Sequence, residues 1–236
     1  MRSLLLDCRP ASAYAAGHLP GALHVDPETA LSGTAVDAAH GGRHPLPDVD
    51  RLAARFGALG VDAGTLVLAL DEGTGWAARC WWLLRHLGHD AAGTIDLRAV
   101  AAPLTTATVA PTARTFVARL RDDDVADAEE IRARLDDPAL VLLDARAPER
   151  WRGEVEPLDP VAGRIPGARN AFFEEPLPGD LPREAEVVAY CGSGVTACVV
   201  VQRLVLAGHR RVRMYPGSFS EWCRREGHPI ERSSVT

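Results

Sequence analysis

The residue best placed to act as a nucleophile is Cys191. It follows the apolar, β-branched run Val187-Val188-Ala189-Tyr190 and precedes Gly192-Ser193-Gly194-Val195-Thr196-Ala197. The run predicts a short buried strand. The apolar stretch from Val195 to Leu206, which also carries Thr196, Cys198, Gln202 and Arg203, predicts a buried helix. A thiol therefore ends a strand, ahead of a tight glycine-rich loop and a helix N-terminus. Such a loop turns backbone N–H groups inward, and the helix end adds partial positive charge. Both favour thiolate over thiol. The alternative is a buried structural cysteine, since most free cysteines pack as small hydrophobes. That reading suits a mid-helix position better than a strand-to-helix loop.

Two other kinds of cysteine site share parts of this layout. A phosphate-binding Cys-x5-Arg loop needs an arginine six residues after the cysteine. Ala197 stands there, and without that charge the loop cannot offset a phosphate dianion. A thiol protease needs a base against the sulfur, and the histidines that follow Cys191, His209 and His228, mark helix ends or the tail.

The elements that must hold this loop repeat along the chain. Leu4-Leu5-Leu6-Asp7-Cys8-Arg9 matches Val141-Leu142-Leu143-Asp144-Ala145-Arg146, and Gly17-His18-Leu19-Pro20-Gly21-Ala22 matches Gly163-Arg164-Ile165-Pro166-Gly167-Ala168. Leu66 to Asp71 matches Glu186 to Cys191, and Leu87-Gly88-His89 matches Ala207-Gly208-His209, in the same order. The long period means a duplicated domain rather than a solenoid. Short strands alternate with helical segments in each copy, which predicts an α/β fold with a mostly parallel sheet flanked by helices. The expected boundaries are 1–100 for the first copy, 101–112 for an Ala/Thr/Pro-rich linker and 113–236 for the second. A strand is expected near Thr115-Phe116-Val117-Ala118. Helices are expected over Val49–Leu59 and from Asp127, an N-cap with Glu130 three residues on, through Leu135. The Gly-, Pro- and His-rich segment from Leu31 to Asp50 reads as a surface loop. Asp71 takes the place of Cys191 in the first copy, so that half is expected to be catalytically silent.

Composition is that of a soluble globular protein: 47% hydrophobic and 25% charged over 236 residues. A net charge of −6 argues against nucleic acid or an anionic membrane as partner. No apolar run approaches the ~20 residues of a membrane span, and Asp7, Cys8 and Arg9 interrupt the N-terminal run too early for a signal peptide. Five scattered cysteines form neither a disulfide framework nor a C-x-x-C metal site, which points to a reducing, cytoplasmic location.

Cys-Gly-Ser-Gly-Val-Thr-Ala resembles the active-site loop of the rhodanese superfamily, and within it the 3-mercaptopyruvate sulfurtransferase branch; the thiosulfate branch usually has basic residues directly after the cysteine. The resemblance covers nearly the whole chain. It implies two tandem rhodanese-like domains, the second one active, with sulfur carried as a persulfide on Cys191 and no metal or organic cofactor. It implies that the loop amides of Gly192, Gly194, Val195 and Thr196 hold the outer sulfur. Arg150 matches a family arginine that binds the donor's carboxylate, a role suited to a guanidinium; a surface pairing with Glu149 or Glu154 is its alternative. The second family arginine has no counterpart, since Leu158 occupies its place, and Arg164, at the histidine of the usual Gly-His-Ile-Pro-Gly turn, is a candidate to restore that charge. Ser193 and His18 match the serine and histidine of the family's proton relay, whose acid has no clear match; Asp7 is the nearest upstream carboxylate. His18 could equally be a turn histidine bonded to backbone. The expected partners are a small anionic sulfur donor and a thiol, thioredoxin-like protein or cyanide acceptor. The rival readings are thiosulfate as donor, and a non-catalytic persulfide carrier or binding module.

Overall fold

The computed structural model of the protein describes residues 2–233. These divide into two compact units: the residues up to Thr34 with Leu46–Arg121, and Ala35–Pro45 with the residues from Asp122 onward.

In the first unit the elements run β1 (Arg2–Asp7), α1 (Ala11–Ala16), β2 (Leu23–His24), α2 (Pro27–Ala30), α3 (Val49–Ala58), β3 (Thr65–Asp71), α4 (Trp76–His86), β4 (Ala92–Asp96) and a 3-10 turn over Leu97–Ala99. The strands form one parallel sheet in the order β2-β1-β3-β4. The second unit runs α5 (Ala128–Ala133), β5 (Leu140–Asp144), α6 (Pro148–Arg152), β6 (Arg169–Asn170), β7 (Glu186–Tyr190), α7 (Ala197–Leu206), β8 (Arg211–Met214) and α8 (Ser218–Trp222). Its parallel sheet has the equivalent order β6-β5-β7-β8. The duplicated α/β organisation read from the repeat is thus the architecture. Both central strands are apolar because parallel strands are covered on both faces; β7 is buried at every position.

Local chemistry explains the element ends. Asp48 caps α3 by accepting from the Arg51 amide, and Asp127 caps α5 by accepting from the Glu130 amide at 2.8 Å. Trp81 and Trp82 of α4 are buried in the first unit, and Trp222 in the second. The repeated Asp-x-Arg motif is a buried pin. Arg9 forks onto Asp7 and donates to the Gly17 carbonyl at 2.7 Å; Arg146 forks onto Asp144 and donates to the Gly163 carbonyl at 2.7 Å. Each guanidinium ties a strand's C-terminal end to the glycine that opens the next turn, and its planar fork satisfies both carboxylate oxygens. Asp7 is therefore committed to Arg9.

Two segments depart from the sequence reading. No strand forms at Thr115–Ala118. Residues 101–121 instead run along the first unit, with backbone bonds from His18 to Thr105, Arg114 to Gly57, Arg119 to Leu87 and Arg121 to His86. Phe116, half-buried, packs on Phe56, while Val117 stays exposed, so this stretch gains neither a ladder partner nor a buried face. The other segment is Ala35–Pro45, which belongs to the second unit although it lies within the sequence of the first copy. Among the described residues no helix is long and apolar enough to cross a membrane.

Candidate active site

Strand β7 delivers Cys191 to the carboxyl edge of its sheet, where open parallel sheets place their ligands. The residue is 2% exposed. Its amide donates to Ser218 Oγ at 3.1 Å, and that hydroxyl donates to the Tyr215 carbonyl at 2.9 Å. Its carbonyl accepts from the Phe219 amide at 3.0 Å. The Cys191 backbone is thereby held by the turn that opens α8. Ser218 adopts a φ of 54°, in the left-handed region, so this support carries local backbone strain. The sulfur itself accepts from the Gly194 amide at 3.1 Å. Gly194 has a φ of 77°, a conformation that glycine adopts without penalty, and that turns its N–H back toward the thiol. Gly192, Ser193, Val195 and Thr196 complete the loop into the N-terminus of α7, and Ser193 and Val195 are buried.

The equivalent loop of the first unit shows what such a cradle prefers. Asp71 Oδ1 accepts from the Gly73 amide at 3.0 Å, and Oδ2 accepts from Thr74 Oγ1 at 2.9 Å and the Ala77 amide at 3.0 Å. A carboxylate occupies the position where the second unit has its thiol. Of the other cysteines, Cys8 is buried, and a hydrogen bond with Cys80, together with burial, holds its thiol well above the ordinary range. Cys223 is pushed up to about 11 by burial and then by the Asp159 carboxylate. Cys198 is buried within α7.

The polar residues around the loop differ in part from those read in the sequence. Ser193 Oγ is hydrogen-bonded to His44 Nδ1 at 2.7 Å. His18 lies in the first unit, stacked on Tyr14, with Nδ1 3.0 Å from the Tyr14 carbonyl and Nε2 3.3 Å from the Ala107 carbonyl. It is the turn histidine bonded to backbone, and the histidine on Ser193 is His44. Arg164 is also placed elsewhere. Its guanidinium pairs with Glu231, donates to the Trp151 carbonyl at 3.2 Å and Ser233 Oγ at 3.0 Å, and lies over the Trp151 ring. It fastens the C-terminal strap rather than facing the loop.

Arg150 does stand at the loop. A β-carbon built on Gly192 would lie 3.4 Å from Arg150 Nη2 and 3.1 Å from Arg43 Nη2. Two guanidiniums thus flank the residue next to Cys191. Arg150 pairs with Glu156 at 2.6 Å, not with Glu149 or Glu154; Glu154 pairs with Arg152. Glu156 also accepts from Arg146 and from the Leu158 and Asp159 amides. The Asp159 carboxylate, fully buried, pairs with Arg43 and with Arg224 at 2.7 Å. Leu158 itself is 59% exposed.

Arg43, His44 and Asp159 were not identified in the sequence. The segment Gly41-Gly42-Arg43-His44-Pro45 reads as loop composition, and its reach to the active-site loop is a tertiary fact. One local signal was present: Gly42 has a φ of 73°, and a β-carbon there would meet the Gly217 carbonyl oxygen and lie 2.6 Å from Ser220 Oγ. The Arg43 amide donates to that same hydroxyl at 3.1 Å. Only glycine allows this approach.

Comparisons with known proteins identify the relatives of this chain. The rhodanese-like domain model matches residues 1–96 and 127–225. A Pseudomonas aeruginosa protein named "Probable 3-mercaptopyruvate sulfurtransferase" is 40% identical, the alignment covering 96% of this chain and 91% of that protein. The human 3-mercaptopyruvate sulfurtransferase is 34% identical over 88% of this chain and 77% of its own length. A thiosulfate sulfurtransferase of Azotobacter vinelandii is 30% identical over 97% and 90%. Among solved structures, the Tum1 protein from Saccharomyces cerevisiae superposes with a TM-score of 0.80 at 19% identity, over 99% of this chain and 92% of that one. The anaerobic ergothioneine biosynthesis enzyme from Chlorobium limicola gives 0.82 at 19% identity, over 99% of this chain and 65% of that one. These structural likenesses concern the fold. With the family model matched in both halves and relatives near full length on both sides, the chain belongs to the rhodanese-like domain family.

Proposed function

We propose that the protein is a sulfurtransferase that takes sulfur from 3-mercaptopyruvate onto Cys191 and passes it to a thiol or cyanide. The observation that carries this reading is the Gly194 amide directed at Cys191 Sγ beside two guanidiniums at Gly192. The thiolate attacks the donor sulfur. The S–S bond forms, the C–S bond breaks, and its electron pair goes to the enolate of pyruvate. The donor's thiol proton then moves to the enolate carbon, giving pyruvate and a persulfide anion on Cys191. Amides of Gly192, Gly194, Val195 and Thr196 stabilise that anion as an oxyanion hole does an oxygen. The hydrogen-bonded Ser193–His44 pair carries the proton between sulfur and carbon. An acceptor thiolate next attacks the outer sulfur and restores Cys191, which makes the kinetics ping-pong. Neither step needs a metal or an organic cofactor. A small thiol or a thioredoxin-like protein in the cytoplasm is a suitable acceptor, and the acidic chain is a poor match for nucleic acid or anionic membranes.

The choice of donor follows from charge. Around the loop, Arg43, Arg146, Arg150 and Arg224 share the carboxylates of Asp144, Glu156 and Asp159, so four cations meet three anions and one positive charge is left over. That suits a monoanionic keto acid better than the thiosulfate dianion. The relatives above include enzymes named for each donor, so thiosulfate is the second reading.

A paired assay tests both. Wild type and Cys191→Ser are given each donor with a thiol acceptor, and intact mass is recorded before the acceptor is added. Pyruvate release and a one-sulfur mass gain on wild type alone are expected, with the higher kcat/KM for 3-mercaptopyruvate. Turnover by Cys191→Ser would overturn the mechanism. Higher kcat/KM for thiosulfate would overturn the donor assignment. A mass gain without multiple turnover would make the protein a persulfide carrier.

A further inference from the structure

Among the described residues, Ser218 is the only non-glycine residue with a positive φ, at 54°. A left-handed backbone is costly for a residue with a β-carbon, and glycine takes it freely. Yet the adjacent glycine, Gly217, keeps an ordinary φ of −63°, and the left-handed position carries serine. What serine has and glycine lacks is a hydroxyl. The Ser218 side chain is fully buried, and its hydroxyl accepts from the Cys191 amide at 3.1 Å while donating to the Tyr215 carbonyl at 2.9 Å. One hydroxyl therefore ties the residue that ends β7 to the residue that ends β8.

The next two residues of α8 act on the carbonyls of the loop. The Phe219 amide donates to the Cys191 carbonyl at 3.0 Å, and the Ser220 amide donates to the Gly192 carbonyl at 2.9 Å. In a planar trans peptide the C=O and N–H point to opposite sides. The Gly192 and Ser193 N–H groups are therefore turned away from α8. Ser218, Phe219 and Ser220 together fix the Cys191 amide and both peptide planes that follow it. The first unit is built differently at this place. Arg98 follows Asp71 by the same 27 residues that separate Ser218 from Cys191. Its amide turns back to Asp96 Oδ1 at 3.0 Å, and the Val100 amide turns to the Leu97 carbonyl at 3.1 Å. The strained serine occurs in the unit whose loop carries the thiol.

We infer that Ser218 is a positioning residue for sulfur chemistry at Cys191: its hydroxyl holds the Cys191 amide so that the loop amides beyond it meet the outer sulfur. The inference rests on the sulfurtransferase reading and extends it to how the loop is aimed. Without the hydroxyl, the Cys191 N–H is a buried donor that needs a new acceptor, and the loop shifts to supply one. The Gly194 amide, 3.1 Å from Cys191 Sγ, shifts with it. Such a shift costs rate more than donor affinity, because charge reaches the outer sulfur only as the S–S bond forms.

The test uses two variants and two readouts. Ser218→Gly removes the hydroxyl and relieves the backbone, whereas Ser218→Ala removes the hydroxyl and keeps the strain. A role confined to backbone shape leaves kcat at the wild-type value in Ser218→Gly. Positioning lowers kcat for 3-mercaptopyruvate by about 10- to 100-fold in both variants, with little change in KM. Thermal melting confirms that each variant is folded. The second readout needs no donor recognition. Inorganic tetrasulfide is added, the Cys191 thiolate attacks its terminal sulfur, an S–S bond forms, and trisulfide leaves as the old S–S bond breaks. The half-life of the added sulfur, followed by mass at the Cys191 peptide without acceptor, is expected to fall about 10-fold or more in both variants. Wild-type kcat and wild-type half-life in folded Ser218→Gly and Ser218→Ala would overturn the inference while sulfur transfer stands. If the wild type turned over neither 3-mercaptopyruvate nor thiosulfate, yet the half-life depended on Ser218, the transfer reading would fail and the positioning role would stand.

Discussion

His44 Nδ1 and Ser193 Oγ lie 2.7 Å apart, joined by a hydrogen bond across 149 positions of sequence. Ser193 lies two residues beyond Cys191. The contact places an imidazole within proton-transfer reach of a hydroxyl in the loop that follows Cys191. Loss of a positioned acid–base group typically costs 10²–10⁴ in rate. His44→Gln is expected to lower kcat for pyruvate release by roughly 10²-fold or more, and Ser193→Ala to lower it in the same direction. His18→Gln should leave kcat unchanged, because both its ring nitrogens face carbonyls of the first unit. Initial rates with 3-mercaptopyruvate measure all three. A large loss in His18→Gln with none in His44→Gln would reverse the assignment.

Asp71 makes three hydrogen bonds inside its own loop. Replacing it by alanine strands two amides and a hydroxyl near a buried strand end. The expected cost is about 1–3 kcal/mol, read as a lower urea midpoint. Turnover per folded molecule should be retained, since Asp71 has no sulfur chemistry to lose. A stability equal to wild type would show that water replaces the carboxylate.

Arg164 separates a structural role from a binding one. Its bonds go to Trp151, Glu231 and Ser233. Arg164→Ala should destabilise by about 1–3 kcal/mol, through the buried carbonyl and ring contacts it abandons. The KM for donor should not move. A raised KM at unchanged melting temperature would return this arginine to the substrate site.

Acid stability should depend on Glu186. The hydrogen bond from Arg134 holds its carboxyl below the ordinary value of 4.5, and Arg213 adds to the effect. A folded-state value below the unfolded one means that the unfolded chain binds the proton more readily. The stabilisation is then complete above the ordinary value and is lost as pH falls through the folded-state value. Melting temperature should fall on acidification below about pH 4.5, and Glu186→Gln should flatten that fall while lowering stability at neutral pH. Parallel acid limbs for the two proteins would show that Glu186 does not govern it.

Much of this molecule was legible in the chain itself. Parallel strands must be apolar on both faces, so β5 and β7 announce themselves as unbroken runs, and the duplicated Asp-x-Arg and Gly-x-x-Pro-Gly motifs mark the same two corners in each unit. Cys191 and its loop were legible for a related reason. A strand, a glycine turn and a helix start follow one another directly, so the cradle is built from contiguous residues. The Asp127 cap and the Asp71 loop are local in the same sense.

The rest depended on long-range packing. Arg43, His44 and Asp159 reach the loop from segments that carry no periodicity, and in the chain they resemble any exposed polar turn. Arg150 was singled out, but its partner Glu156 was not, because Glu149 and Glu154 both lie nearer to it in sequence. The stretch around Phe116 has the composition of a strand, yet it joins no sheet and packs its ring on Phe56. Sequence alone determined the central strands and the loop after Cys191, where hydrogen bonding and burial are settled by neighbours in the chain. Tertiary structure alone decided which histidine meets Ser193 and which arginines surround Gly192, because a charged side chain on a loop is placed by whichever buried carboxylate or hydroxyl the fold brings to it.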